Sequence, residues 1–313
     1  MVYKAINWNF EKQIIKQSVL CLFLLLTASS LMFSQIIDNR SGNAFKDDMF
    51  FSQQFLWLNK IKSVTGIKSI KRPNRPIEQR PDIVIYKFNE VGLLNEIDQV
   101  TSVLHLVDSL TIQYKRNDLG EVELKRENGS RGYYTTQYNY DERGRLMRLD
   151  YGKAENIAQE KGKLIPGQVT NINSESFVWT DNQNGIIRKS NFNNYGLHYS
   201  DWVITRNAEG YIQSEVEELK MSGRSVSRLY TYNDKGWIDQ IETKDNQSTT
   251  VKREVFRYDK LGNLLKLEFF EGSEMVREVE VLYTSTMLIE AFLDHYLRSH
   301  DIEITKFTYE YFK

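Results

Sequence analysis

A short pattern recurs along most of this chain, and it leaves few folds open. Its clearest copy, Val255-Phe256-Arg257-Tyr258-Asp259-Lys260-Leu261-Gly262-Asn263-Leu264, reads as strand, tight turn, strand. With the glycine as reference, the pattern returns at Gly92, Gly120, Gly144, Gly185, Gly210 and Gly236. Asn or Asp stands three residues before each: Asn89, Asn117, Asp141, Asn182, Asn207, Asn233 and Asp259. An aliphatic stands two residues after: Leu94, Val122, Leu146, Ile187, Ile212, Ile238 and Leu264. A large apolar residue stands six before: Tyr86, Tyr114, Tyr138, Trp179, Ile204, Tyr230 and Phe256. Internal self-similarity of this kind outranks local propensity in reading a fold.

Turn chemistry accounts for the pattern. Asn or Asp at the first turn position accepts a backbone N–H two residues on. Glycine at the fourth position takes positive φ without steric cost. A type I turn followed by such a glycine makes a hairpin with a bulge after the turn. The residue at minus five is polar every time (Lys87, Lys115, Asn139, Thr180, Thr205, Thr231, Arg257), so one face is apolar and the other wet. Second turns fall between the units, at Glu127-Asn128-Gly129-Ser130, Met221-Ser222-Gly223-Arg224, Asp245-Asn246-Gln247-Ser248 and Glu271-Gly272-Ser273-Glu274. Apolar residues return at plus five (Ile97, Leu149, Ile241, Leu267) rather than plus four, an offset that a further bulge would produce. Aligning Met287 with the glycines adds an eighth, degenerate hairpin, with Ile302, Ile304, Phe307, Tyr309 and Tyr311 on a closing strand. The expected fold is all-β: an antiparallel meander of about eight consecutive hairpins forming a curved repeat sheet over 83–313.

Tyr140-Asp141-Glu142-Arg143-Gly144-Arg145-Leu146 and Tyr258-Asp259-Lys260-Leu261-Gly262-Asn263-Leu264 resemble the YD repeat, also called the RHS repeat. Tyr232-Asn233-Asp234-Lys235-Gly236 is close to it, and the likeness covers about 83–297. The resemblance implies a long, curling sheet of hairpins, which in large members closes into a shell around a cargo toxin. This chain reads as too short for such a shell and shows no toxin domain after the repeats, so the cargo role is not carried over.

Residues 1–34 read as an export signal. Lys4, Lys12 and Lys16 precede a mostly apolar run from Val19 to Phe33, and cleavage fits before Gln35 or before Leu31. The alternative is an uncleaved anchor, although the run is shorter than the ~20 residues a spanning helix needs. Loss of Lys4, Lys12, Lys16 and Glu11 takes the net charge from −1 to about −3 and removes the single Cys. An exported chain without disulfides depends on its core alone. Residues 35–82 read as a cap and linker: Phe45, Met49, Phe50, Leu56, Leu58 and Ile61 cap the first edge of the sheet. Lys60, Lys62, Lys68, Lys71, Arg72, Arg75 and Arg80 with Pro73, Pro76 and Pro81 form a basic, solvated linker. The wide gap between Gly144 and Gly185 places an extended loop over 152–174.

No residue set specifies a chemistry. His105, His198, His295 and His300 show no zinc spacing. There is no nucleophile elbow, phosphate loop or dinucleotide fingerprint. The dense ligand loop of a calcium site is missing. Balanced charge argues against nucleic acid. Polar residues on both faces of Tyr211–Leu219 (Gln213, Glu215, Glu217 against Ser214, Glu218) argue against an outer-membrane barrel. No catalytic, cofactor or metal residue is assigned. The expectation is an exported, non-enzymatic binding or scaffold module of the periplasm, cell surface or medium, with a protein or glycan partner. Its alternatives are a carbohydrate-binding protein or a hydrolase working in the concavity.

Overall fold

The computed structural model describes residues 35–313 apart from 47–49, 104–105, 130–131, 158–164 and 183–184. The expected export signal, Met49 and His105 therefore lie outside the described residues. A short helix, α1 (Gln53–Leu58), precedes β1 (Ile61–Lys71), β2 (Ile77–Phe88), β3 (Leu94–Val103), β4 (Leu106–Arg116), β5 (Val122–Gly129) and β6 (Gly132–Tyr140). Then come β7 (Leu146–Asn156), β8 (Pro166–Asp181), β9 (Ile186–Phe192), β10 (His198–Arg206), β11 (Ile212–Leu219) and β12 (Ser225–Tyr232). The last six are β13 (Ile238–Asp245), β14 (Lys252–Tyr258), β15 (Leu264–Glu271), β16 (Glu274–Tyr283), β17 (Ile289–Tyr296) and β18 (Asp301–Tyr311).

Successive strands pair antiparallel throughout, and β1 pairs with β18 from Ile61↔Tyr311 to Lys71↔Ile302. The sheet is a closed 18-stranded barrel. This overturns the expected repeat sheet with an edge to be capped: the chain is long enough to close, and no edge remains. The repeat hairpins supply β2 to β17. The missing strand comes from the stretch expected as a linker, which forms β1 and the start of β2. The prolines do not break the strands. Pro73 and Pro76 lie in the turn between these strands, and Pro81 sits where the register skips from Ile67↔Ile83 to Ser69↔Gln79. The expected loop over 152–174 is mostly the long β7–β8 hairpin.

The pattern residues build one end of the barrel. Gly92, Gly120, Gly144, Gly185, Gly210, Gly236 and Gly262 all have positive φ, between 71° and 92°. Met287 takes the same conformation in the eighth turn, at φ 62°. In the Asp259 turn, the Gly262 N–H donates to the Asp259 carbonyl at 3.2 Å. The Asp259 Oδ1 accepts from the backbone N–H of Leu261 at 2.8 Å and of Asn263 at 2.9 Å. A bulge follows nearly every such turn. Phe88 pairs with Leu94 but Lys87 with Glu96, so Asn95 is skipped and Tyr86 meets Ile97. The same skip occurs after Gly120, Gly144, Gly210, Gly236, Gly262 and Met287. This explains the apolar residues at plus five. Only the Gly185 hairpin keeps its register, with Asp181↔Ile187 and Trp179↔Lys189.

A bulge leaves a ladder group unpaired, and a tyrosine takes it up. The Tyr140 hydroxyl donates to the Val122 carbonyl at 2.9 Å, Tyr232 to Ile212 at 2.8 Å and Tyr258 to Ile238 at 3.0 Å. Tyr283 does the same to Leu264 and Tyr309 to Ile289, both at 2.8 Å. Each hydroxyl thus latches one hairpin to the plus-two carbonyl of the preceding one. Where tyrosine is missing, Arg116 reaches Leu94 at 3.2 Å and the Trp179 indole reaches Leu146 at 2.8 Å.

The segment from Gln35 to Leu58 fills the same end from within. Ile36, Ile37, Phe50, Phe51, Phe55 and Leu56 are buried against Val64, Tyr86, Ile97, Ile241, Phe256 and Leu267, residues drawn from both sides of the ring. Only an inner face converges in this way, so the apolar face of the repeats points inward. The expected cap is therefore a plug. Asn39 donates to the Tyr258 hydroxyl at 2.8 Å, and Lys46 pairs with Glu254. On the opposite face Lys87 pairs with Glu96 and Asp98, Arg257 with Glu268, and Lys266 with Glu278, so the outer wall is charged.

Candidate functional site: a ring-lined tract on the inner wall

Cross-strand partners share a face, so the register carries the inner face from the plug to the far side of the ring. Ile241 faces Tyr230. On the same face two residues along, Arg228 faces Glu215, which faces Ile204. Two along again, Trp202 lies between Glu217 and Lys189, and Lys189 lies between Trp202 and Trp179. Among the described residues no plug residue belongs to this sector, and Trp179, Lys189, Trp202, Glu215, Glu217 and Arg228 are all half-buried rather than sealed.

The missing bulge after Gly185 is what points Lys189 inward. With a bulge, plus five would face in, and plus five here is Ser190. The Lys189 ammonium stands over three rings, 5.0 Å from the centroid of Phe177, 5.5 Å from Trp202 and 5.9 Å from Trp179. Burial pulls this amine below the ordinary lysine range, against the opposing fields of Glu217, Glu175 and Glu215. Arg228 stands 5.6 Å from the Trp202 centroid and 3.7 Å from Glu215, which also accepts from the Tyr230 hydroxyl at 2.8 Å. Burial, and then the charge of Glu175, push Tyr199 up to about 12. Rings that stack, carboxylates that accept and cations that donate are the parts of a binding surface.

The turn residues Asn89, Asn117, Asp141, Asn182, Asn207, Asn233 and Asp259 are spread around one rim, where they hold backbone N–H groups. The structure does not bring them to a common point. Lys189, Trp202 and Phe177 carry no mark in the repeat. The available signal was Lys189 at plus four, with the same parity as Ile187, but nothing in the repeat marks a register without its bulge.

Two polar clusters arise from pairing that sequence spacing hides. Asp201, 1% exposed, accepts from the Ser190 hydroxyl at 2.6 Å, His198 at 2.8 Å and Lys220 at 2.7 Å. Burial alone would raise its pKa, but the bonds from Lys220, Ser190 and His198 outweigh this and hold it well below the carboxylate range. Here serine bonds the carboxylate rather than the imidazole, so the serine–histidine pairing of a nucleophilic triad is not formed. On the outer wall Glu278, Glu280 and His295 have ligand atoms within 4.8 Å of one another, but Lys266 already pairs with Glu278 at 3.1 Å.

No family model and no curated protein matches the chain. Among solved structures it is similar to a porin-like protein from Bacteroides uniformis, with 10% identity over 80% of this chain and 97% of that one and a TM-score of 0.40. A porin-like protein from Bacteroides vulgatus gives 9% identity over 80% of this chain and 98% of that one, with a TM-score of 0.31. A TcdB2-TccC3 structure without its hypervariable C-terminal region gives 12% identity over 69% of this chain, which spans 13% of that one, with a TM-score of 0.29.

Proposed function

We propose that this chain is an exported, non-enzymatic binding module of the cell envelope that takes its ligand against the inner wall of the barrel. The observation that carries this is the tract on β8 to β12. There Trp179 and Trp202 share a half-open surface with Lys189, Arg228, Glu215 and Glu217, over a buried Phe177. A barrel of 16–18 strands is wide enough to leave space inside, and the plug occupies one end. The basic start and apolar run of residues 1–34 support export. The charged outer wall speaks for a barrel standing in water, because a lipid-facing band is apolar. The hairpins read as a short, degenerate set of YD-type units, supported by the Asn or Asp and glycine of each turn. A hydrolase in the concavity is the weaker reading. Glu215 is committed to the Tyr230 hydroxyl and to Arg228, which ties up the carboxylate that a hydrolase would need free.

The test is a panel of mono- and oligosaccharides and small metabolites screened by tryptophan fluorescence and native mass spectrometry. At least one compound should bind the wild-type chain, bind the outer-wall variant Arg257→Ala equally, and fail to bind Trp179→Ala/Trp202→Ala. Equal binding by the double variant, or turnover of a bound compound, overturns the reading.

A further inference from the structure

Three cations stand over the rings of this tract, and two are already committed. Arg145 lies 5.9 Å from the Trp179 centroid but is held by Asp141 at 2.8 Å and Asp181 at 3.1 Å. Arg228, over Trp202, is paired with Glu215 at 3.7 Å. Lys189 alone meets the rings without a hydrogen bond or ion pair among the described residues. Its surroundings have the form of a cage. Phe177, Trp179 and Trp202 face the ammonium within 6 Å. Trp179 is fixed by its bond to the Leu146 carbonyl, and Phe177 is 4% exposed, so two of the three rings are set before anything binds. Glu217, Glu175 and Glu215 add negative potential at the ammonium.

We propose that this cage is a binding site for an organic ammonium ligand, and that Lys189 is its resident stand-in. The inference rests on the inner wall being the binding surface and adds the class of ligand. Aromatic faces attract any cation, but they favour one that gives up little hydration. A primary ammonium is compact and strongly hydrated. A tertiary or quaternary ammonium is bulkier, fills the space between three rings and loses less on leaving water. Lys189 is on a flexible stem and has no carboxylate holding it in place, so it can withdraw when such a group arrives. Lys189 therefore acts as an internal competitor. The apparent affinity of the site is reduced by the fraction of time the lysine occupies it.

The test is titration of the full chain with tetramethylammonium chloride against potassium chloride at equal ionic strength, read by tryptophan fluorescence and calorimetry. Saturable binding is expected with tetramethylammonium only. Lys189→Ala should bind it more tightly, by at least about five-fold, because the competitor is gone. Trp202→Ala should lose the signal, and Glu217→Gln, which keeps the shape, should weaken binding several-fold. Unchanged or weaker binding by Lys189→Ala overturns the proposal, as does a response identical in the two salts. The saccharide and metabolite panel separates the two readings. A panel compound that needs Trp179 and Trp202, together with failure of tetramethylammonium, leaves the inner-wall site standing and removes the cage.

Discussion

Gly262 shows how tightly a single position is held. Its φ is +92°, and a Cβ there would sit 2.4 Å from the Trp237 ring and 2.1 Å from the Gln35 side chain. Gly262→Val therefore meets both backbone strain and a clash, with an expected loss of about 1–3 kcal/mol from strain alone. Lys260→Ala, in the same turn, should be nearly neutral. Urea melts of the two variants check this, and equal midpoints would refute it. The latch tyrosines give a second test. Burial pushes Tyr258 up to about 12, and Tyr283 and Tyr309 higher still. An unfolded tyrosine ionises near 10, so the folded state holds the proton more tightly. That contribution is complete below about pH 10 and is lost as pH rises towards 12. Tyr258→Phe should cost about 1–2 kcal/mol at neutral pH, since it removes a buried bond to a carbonyl. Above pH 10 the difference between wild type and variant should shrink. A constant difference in melting temperature from pH 8 to 11.5 would mean the hydroxyl is not a latch.

Among the elements, the plug is deeply buried. Ile36 and Ile37 are 0% and 2% exposed, and Gly42 leaves no room for a side chain beside Ile241. Ile37→Ala should cost about 2–5 kcal/mol, whereas Ile77→Ala, at an exposed strand start, should cost little. Chemical denaturation distinguishes the two, and similar losses would place Ile37 outside the core. The hairpins were legible because their turn requires Asn or Asp and then glycine at fixed spacing. The plug was half legible. Phe45, Phe50 and Leu56 announce burial, but nothing local says whether they cover an edge or enter a ring. β1 was hidden because basic residues and prolines dominate the stretch and its turn, while one of its two partners, β18, lies more than two hundred residues away. Nor was the cage legible, since it depends on one hairpin keeping the register that its siblings lose. The turn Asn193–Gly196 shows the same chemistry at the opposite rim, with Gly196 at φ +74°. There it joins β9 to β10, so the motif marks a tight turn wherever one is needed.

At the scale of the molecule, closure joins the first strand to the last. Thr65 faces Thr308 across the β1–β18 seam. Contacts this distant in sequence form slowly, because the loop must close before they contribute. With the native Cys21 replaced by Ser, fluorophores at Thr65→Cys and Thr308→Cys should approach late in refolding. Tyrosine and tryptophan signals from the hairpins should appear first. Simultaneous signals would mean that the ring forms as one unit. Closure also sets a rule for how such a chain can change. An open array lengthens by one hairpin at its end and leaves its neighbours undisturbed. Here each added or lost hairpin alters the circumference by two strands, and the plug must be refitted to the new bore. Ring size and plug fit are therefore coupled wherever a duplicated hairpin falls among the strands that touch the plug.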